Sequence, residues 1–253
     1  MRLVLMQPQL RAFDDVYNAA LIERLLDSFR GALDDDDVIL LPEHVRFDGD
    51  ADAYRAYVTA LAVSMQCHVV GGSYHEQRGA VRVNTGITVA PDGDVIARHE
   101  KLRPYADERT RVEAGVDHGC VMIAGRRVLV RVCADFWFSD LFLSADELPD
   151  LVLVPALSVT RKATPDYSRQ LWRHLAVARA YEFGVYAGIS DWGHPSELPR
   201  LMTSGVGGLA DPTGLDPSAM FEPISDGVRL YTLDFTALEE FRHDRRERGF
   251  FWK

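Results

Sequence analysis

The sequence predicts an α/β protein in which helices are layered on sheet, and three observations lead there. Short apolar runs rich in β-branched residues alternate with stretches of helical periodicity along most of the chain. Hydrophobic residues fill 47% of the 253 positions and charged residues 26%, the balance of a globular protein with a sizeable core. No Pro-, Gly- or Ser-rich linker, charge block or short-period repeat divides the chain, so residues 1–253 are expected to form one domain.

Taken in order, the apolar run Leu3–Met6 reads as a first strand. A helix follows whose face carries Ala19, Ile22, Leu25, Leu26 and Phe29. The run Asp34-Asp35-Asp36-Asp37 is a polar turn ending that helix before a buried strand at Val38–Leu41. Tyr54, Tyr57, Val58, Leu61 and Met65 share one face of a second helix, and His68–Gly71, Val81–Val89 and Val95–His99 are further strands. Val128–Val132 and Leu151–Val154 are strands as well. A third helix, Ser168 to Phe183, follows Thr164-Pro165-Asp166, carries Leu171, Trp172, Leu175, Ala178 and Phe183, and stops at Gly184 before a strand at Val185–Ile189. The stretch Gly205-Val206-Gly207-Gly208 matches no phosphate-loop or dinucleotide spacing, and Asp211-Pro212-Thr213-Gly214 is turn chemistry. The basic stretch Arg242 to Arg248, interleaved with acids, is expected to be the solvated face of a C-terminal helix.

Charge and cysteine usage exclude several classes. A formal net charge of −10 argues against a nucleic-acid partner, since phosphate binding is supplied by clustered Lys and Arg. Cys67, Cys120 and Cys133 give neither an even disulfide framework nor a Cys-x-x-Cys pair, so a reducing, cytoplasmic location is expected. The apolar N-terminus is broken at Gln7-Pro8-Gln9, so neither a signal peptide nor a membrane span is expected. The eight histidines show no metal-ligand spacing, and no metal or cofactor is expected.

Three reactive residues stand where apolar runs end. Cys133 follows Val128-Leu129-Val130-Arg131-Val132 and opens into Ala134-Asp135-Phe136-Trp137, which places its sulfur at a sheet edge; Cys67 and Cys120 are expected to be structural. Thiol chemistry needs a base or a cation nearby. Glu43, after Leu40-Leu41-Pro42, is placed to be a partly desolvated base, and Lys101 ends Val95-Ile96-Ala97-Arg98-His99-Glu100.

In their order and flanks, these sites resemble the nitrilase superfamily of carbon–nitrogen hydrolases, in its amidase-like branch. Leu41-Pro42-Glu43 is similar to the family's glutamate motif, His99-Glu100-Lys101-Leu102-Arg103-Pro104 to its lysine motif, and Arg131-Val132-Cys133-Ala134-Asp135 to its nucleophile motif. Gly71-Gly72-Ser73, Asn84-Thr85, Gly115, Leu153-Val154-Pro155-Ala156 and Ala178 to Glu182 fall where the family has similar elements. The resemblance implies a four-layer α-β-β-α sandwich with a Glu43-Lys101-Cys133 triad. In that scheme Glu43 takes the thiol proton, Cys133 attacks an amide carbonyl, and Lys101 with the Ala134 backbone N–H stabilises the oxyanion, each such donor being worth about 3–4 kcal/mol. Either Glu108 or Asp107 resembles a second acid that orients the lysine. Glu182 resembles a buried structural acid.

The departures from the family narrow the chemistry. Cys133-Ala134-Asp135 stands where nitrile hydrolysers usually have Cys-Trp-Glu, so amide cleavage is expected. An aromatic loop, Phe136 and Trp137, together with Tyr105 and Trp192, is expected to line the substrate site, and no Arg fork beside Cys133 suggests a grip on a substrate carboxylate. The expected activity is hydrolysis of a small linear amide through a Cys thioester. Alternatives are an N-carbamoyl amidohydrolase, an acyl transferase with the same triad, or a catalytically idle oligomeric scaffold. The resemblance further implies a homodimer or larger even homo-oligomer.

Overall fold

Two β-sheets stack face to face in the computed structural model, which describes residues 1–143, 147–216 and 218–251. The chain opens with β1 (Arg2–Met6), α1 (Asp15–Leu26), β2 (Val38–Leu40), α2 (Ala51–Met65) and β3 (His68–Val70). β4 (Tyr74–Arg78), β5 (Val81–Val89) and β6 (Val95–Glu100) follow as an antiparallel meander. Next come β7 (Cys120–Ile123), β8 (Arg126–Val130), α3 (Asp140–Leu143), β9 (Leu151–Pro155), β10 (Val159–Thr160), α4 (Asp166–Phe183) and β11 (Tyr186–Ser190). The last elements are β12 (Met202–Thr203), β13 (Gly208–Ala210), β14 (Phe221–Pro223), β15 (Val228–Thr232) and α5 (Phe235–Glu247).

The first sheet runs β15-β1-β2-β3-β5-β4, with β6 also paired to β5; the second runs β14-β13-β11-β9-β8-β7. In each the centre is parallel: β1, β2 and β3 in one, β8, β9 and β11 in the other. Parallel strands place their C-terminal ends on one edge, so the segments leaving β2 and β8 emerge together.

Strand alternation assigns the layers. Val4 and Met6 of β1 and Ile39 of β2 pack against Ile22, Leu26, Val58 and Met65 of α1 and α2. Their neighbours Leu3, Leu5, Val38 and Leu40 face the other way and meet Val128, Val130, Leu151 and Leu153 of the second sheet. The far side of that sheet, Leu129, Val152, Val154 and Ala187, is covered by Trp172, Ala176, Ala180 and Phe183 of α4. The order is therefore helix, sheet, sheet, helix, the four-layer sandwich that the resemblance implied. No helix among the described residues is long and apolar enough to cross a membrane.

The helices begin where capping chemistry sets them. Asp14 accepts from the Tyr17 N–H, Asp50 from the Asp52 and Ala53 N–H groups, and Asp234 from those of Thr236 and Ala237, while Gly184 ends α4 in the left-handed conformation. In the acidic turn, Asp37 is buried and accepts from the Arg2 and Asp34 N–H groups and the Arg2 side chain, which joins the starts of β1 and β2.

Three surface expectations are corrected. In α5, Arg242 and Arg245 are buried rather than solvated: Arg242 donates to the carbonyls of Gly184 and Pro149 and pairs with Asp150 at 2.7 Å. Glu182 is exposed and pairs with Arg179, because α4 turns that side away from the sheet. Cys120 lies exposed on β7, whose residues alternate out and in, whereas Cys67 is fully buried.

The turn after β3 has no room for a side chain. Gly72 sits at φ +67°, and a Cβ there would lie 2.0 Å from the Pro42 carbonyl oxygen, next to Glu43; Gly79, at φ +61°, has open space around it. Gly72→Ala is expected to destabilise by about 2 kcal/mol or more and Gly79→Ala by about 1 kcal/mol in urea denaturation, since only the first adds a backbone clash to left-handed strain. Equal losses would show that the close approach to Pro42 carries no cost.

Candidate active site

Three segments leaving the paired strands converge at one edge of the sandwich. Beyond β2, the Glu43 N–H donates to the Ala156 carbonyl at 3.3 Å and the Glu43 carbonyl accepts from the Trp192 indole at 2.7 Å, so this residue is pinned to both segments of the second half of the chain. Beyond β6, the Lys101 N–H continues the ladder to the Asn84 carbonyl at 2.8 Å, and its own carbonyl accepts from Gly115. Beyond β8, a 3-10 turn over Cys133–Trp137 begins with Cys133 at φ +48°. A non-glycine residue there costs on the order of 1–3 kcal/mol, and the sharp turn it makes sets the side chain off the strand direction.

The Asp135 carboxylate holds two of these segments together. It accepts from the backbone N–H groups of Leu102 at 2.9 Å and Arg103 at 2.8 Å, so the turn at Cys133 carries the clamp for the two residues after Lys101.

The side chains meet in a short polar chain. Lys101 Nζ donates to Glu43 Oε1 at 2.8 Å and to Glu108 Oε2 at 2.5 Å. Asn84 Nδ2 lies 2.8 Å from the same Glu43 oxygen and 3.0 Å from Glu108 Oε1, bridging the two acids from β5. The other Glu43 oxygen accepts from the Leu157 N–H at 3.0 Å, while the Leu157 carbonyl lies 3.9 Å from Cys133 Sγ. One residue therefore touches both the carboxylate and the thiol. Glu43, Lys101 and Cys133 are all buried, at 2%, 3% and 8% exposure.

Electrostatics fix the charge states. Burial by itself would raise Glu43, yet the Lys101 ammonium and the His44 ring outweigh it and hold the carboxyl below its ordinary range. Burial opposes the charge on Lys101, but Glu43, Cys133 and Glu108 more than offset it and raise its pKa. Partial burial by itself would raise Glu108, yet its hydrogen bond from His75 with the charge of Lys101 holds it well below the usual range. The Cys133 thiol moves the other way: burial and the facing Glu43 carboxylate raise it well above 9.0, and Lys101 offsets only part of this. At neutral pH the arrangement is a thiol beside a carboxylate–ammonium–carboxylate cluster. Such a thiol becomes nucleophilic only as its proton leaves.

The expected residues divide cleanly by placement. Glu43, Lys101, Cys133 and Glu108 are brought together, and Ala134 is buried beside Cys133; of the two candidate second acids, Glu108 reaches the lysine and Asp107 faces solvent. Phe136 is instead fully buried against Phe142 and Trp172, and Trp192 is fully buried beneath the site, where its indole supports the Glu43 carbonyl. Neither ring offers a surface to a ligand, because the 3-10 turn directs Phe136 into the layer under α4. Tyr105 and Trp137 are exposed, Trp137 with its edge against Trp172.

Asn84, Asp135, Leu157, His44 and His75 complete the surroundings without having been singled out as site residues. Asn84 had a signal, a polar residue within the apolar strand Val81–Val89. His44 follows Glu43 in the left-handed conformation at φ +54° and sits at a ring-centroid distance of 4.4 Å from His75, with Nε2 3.9 Å from Glu108 Oε1. Burial lowers the His44 pKa to about 4.

The sequence matches the family model for carbon–nitrogen hydrolases over residues 2–231. No curated protein matches it. Solved structures with a similar fold include XC1258 from Xanthomonas campestris, a CN-hydrolase superfamily protein with an arsenic adduct in its active site, at TM-score 0.79 and 22% identity over 96% of this chain and 94% of that one. Saccharomyces cerevisiae Nit3, of branch 10 of the nitrilase superfamily, superposes at 0.78 with 20% identity over 96% and 93%. An amidase from Nesterenkonia sp. gives 0.76 with 20% identity over 98% and 96%; in one variant of the Nesterenkonia sp. AN1 amidase, acrylamide has undergone Michael addition at the active-site cysteine.

Burial raises the Asp135 carboxyl from 3.8 to about 6, although the Leu102 and Arg103 N–H groups oppose the shift. The folded protein thus holds this proton more tightly than the unfolded chain, so its stabilising contribution is full below about pH 4 and lost as pH rises to about 6. The stability of the wild type minus that of Asp135→Asn, from urea denaturation at a series of pH values, is expected to fall across that window and then level off. A difference that grows with pH would overturn the assignment.

Proposed function

The chain belongs to the carbon–nitrogen hydrolase family, and from that premise we propose that it hydrolyses a small linear amide through a thioester on Cys133. The observation that carries this reading is the bridge at Leu157, whose N–H donates to Glu43 while its carbonyl lies beside the Cys133 sulfur. An acyl carbon delivered to that sulfur comes within range of the base and of the Lys101 ammonium together.

Each step then has a group in place. Glu43, ionised at rest, accepts the Cys133 proton as the S–C bond forms and the carbonyl π electrons move to oxygen. Lys101 and the Ala134 N–H stabilise the oxyanion. Lys101 keeps its charge through this step because its pKa is raised. When the tetrahedral adduct collapses, Glu43 returns the proton to the nitrogen and the C–N bond breaks, leaving the thioester. A water molecule, deprotonated by Glu43, attacks the thioester carbon and releases the acid and the thiol. Glu108 and Asn84 are positioning residues for Lys101 and Glu43 in this scheme.

Burial supports a small substrate, since polymer segments cannot reach three groups with so little exposed surface. Arg131, the arginine nearest Cys133 in sequence, is engaged by the carbonyls of His118, Val130 and Leu141, so it is not free to grip a substrate carboxylate. With Phe136 and Trp192 buried, the aromatic lining is reassigned to the exposed Tyr105 and Trp137. The acrylamide product of the Nesterenkonia enzyme is the type of adduct that Cys133 would form, its sulfur adding to the β-carbon while a proton goes to the α-carbon.

Ammonia release from a panel of small amides, ω-amides and N-carbamoyl compounds tests the reading. Cys133→Ala, made alongside Cys120→Ser so that no exposed thiol remains, is expected to abolish both turnover and the acrylamide mass adduct. Glu43→Gln should lower kcat by about 10²–10⁴-fold and Lys101→Met by about 10²–10³-fold. Ammonia release that survives Cys133→Ala would sink the thioester route, and an inert wild-type thiol would favour the idle scaffold.

A further inference from the structure

We propose that His44, His75 and Glu108 form a binding site for a divalent transition ion of the zinc class at the mouth of the cleft. Their ligand-capable atoms all lie within 4.8 Å of one another, although the residues come from three separate segments. His75 Nε2 is 2.9 Å and His44 Nε2 is 3.9 Å from the same oxygen, Glu108 Oε1.

The donor set selects the ion. Two imidazoles and one carboxylate suit zinc and its first-row neighbours, whereas calcium and magnesium favour all-oxygen shells. Ligands about 2.0–2.2 Å from zinc lie roughly 3.3–3.6 Å apart in a tetrahedral shell. Closing the wider edges of the present triangle by about an ångström at most, and opening the 2.9 Å His75–Glu108 edge by about half an ångström, is within rotamer reach of these half-buried side chains. The position is also open to ions: the side chains of His44, His75 and Glu108 are 13%, 28% and 14% exposed, against 2% and 3% for Glu43 and Lys101 behind them.

The surrounding charge favours a cation. Glu108 and Glu43 carry two negative charges against the single ammonium of Lys101, and Glu43 Oε1 is 3.7 Å from His44 Nε2. Lys101 occupies Glu108 Oε2, which leaves Oε1 to the ion; its present contacts there are the His75 ring and the Asn84 amide. On coordination through Nε2, the His75 ring carries its proton on Nδ1 and the ion replaces the hydrogen bond to Oε1. Solvent occupies the remaining coordination positions. None of this depends on a catalytic step.

The test uses the full chain with Cys133→Ala and Cys120→Ser, which removes the site thiol and the exposed one. Zn²⁺ titrated in competition with a chromophoric chelator is expected to show one bound equivalent. Co²⁺ should give visible d–d absorption without a thiolate charge-transfer band. His44→Ala and His75→Ala are each expected to weaken binding by at least ten-fold. His75→Gln, which keeps a hydrogen-bond donor toward Glu108, should lose the ion while melting at an unchanged temperature. Zinc binding that persists undiminished in the histidine variants, or the absence of a bound equivalent at micromolar zinc in folded protein, overturns the site. Because the reporter protein lacks Cys133, neither result depends on the hydrolase reading.

Discussion

The arrangement at the cleft depends on one buried ammonium shared by two carboxylates. Lys101, 3% exposed, lies between Glu43 and Glu108, and removing three charges from water is tolerable only because each carboxylate meets the ammonium and Asn84 ties both acids. Loss of Lys101 would leave two uncompensated carboxylates in a low-dielectric site. Burial raises the thiol, and the carboxylate that would accept its proton adds to this by opposing a resting thiolate, while Lys101 offsets only part. Reactivity is therefore held back until an acyl carbon gives the developing charge another place to go.

The fold makes this convergence possible by putting the C-terminal ends of two parallel sheet centres on one edge. Glu43 and Cys133 leave β2 and β8 there, in different sheets, and the contact between layers brings them together. Cross-links from the backbone then fix the distances. Trp192 holds the Glu43 carbonyl, Leu157 spans carboxylate and thiol, and Asp135 clamps the segment after Lys101. Two of the aromatic residues serve this frame: Phe136 packs under α4 and Trp192 supports the Glu43 carbonyl, whereas Tyr105 and Trp137 are exposed.

The strands missed in the sequence fail for two physical reasons. β4, β7, β14 and β15 lie at or near sheet edges, where one face meets water, so Tyr74-His75-Glu76-Gln77-Arg78 and Cys120-Val121-Met122-Ile123 show no continuous apolar run. β13 is interior but consists of Gly-Leu-Ala, and its glycine disguises it as part of a loop. The central strands and the helices α1, α2 and α4 were legible because burial on one or both faces imposes its own period.

By itself, the sequence determined that apolar strands end in Glu43, Lys101 and Cys133, that helices alternate with those strands, and that the ordered motifs resemble one family. Spacing along a chain records local burial, and burial is what those patterns report. Only tertiary structure decided that Glu108 rather than Asp107 reaches the lysine, that Phe136 and Trp192 turn inward, and that His44 and His75 face the same carboxylate oxygen. Those outcomes rest on turns of left-handed backbone and on the stacking of two sheets, which join residues as far as 149 positions apart through angles that no one-dimensional period encodes.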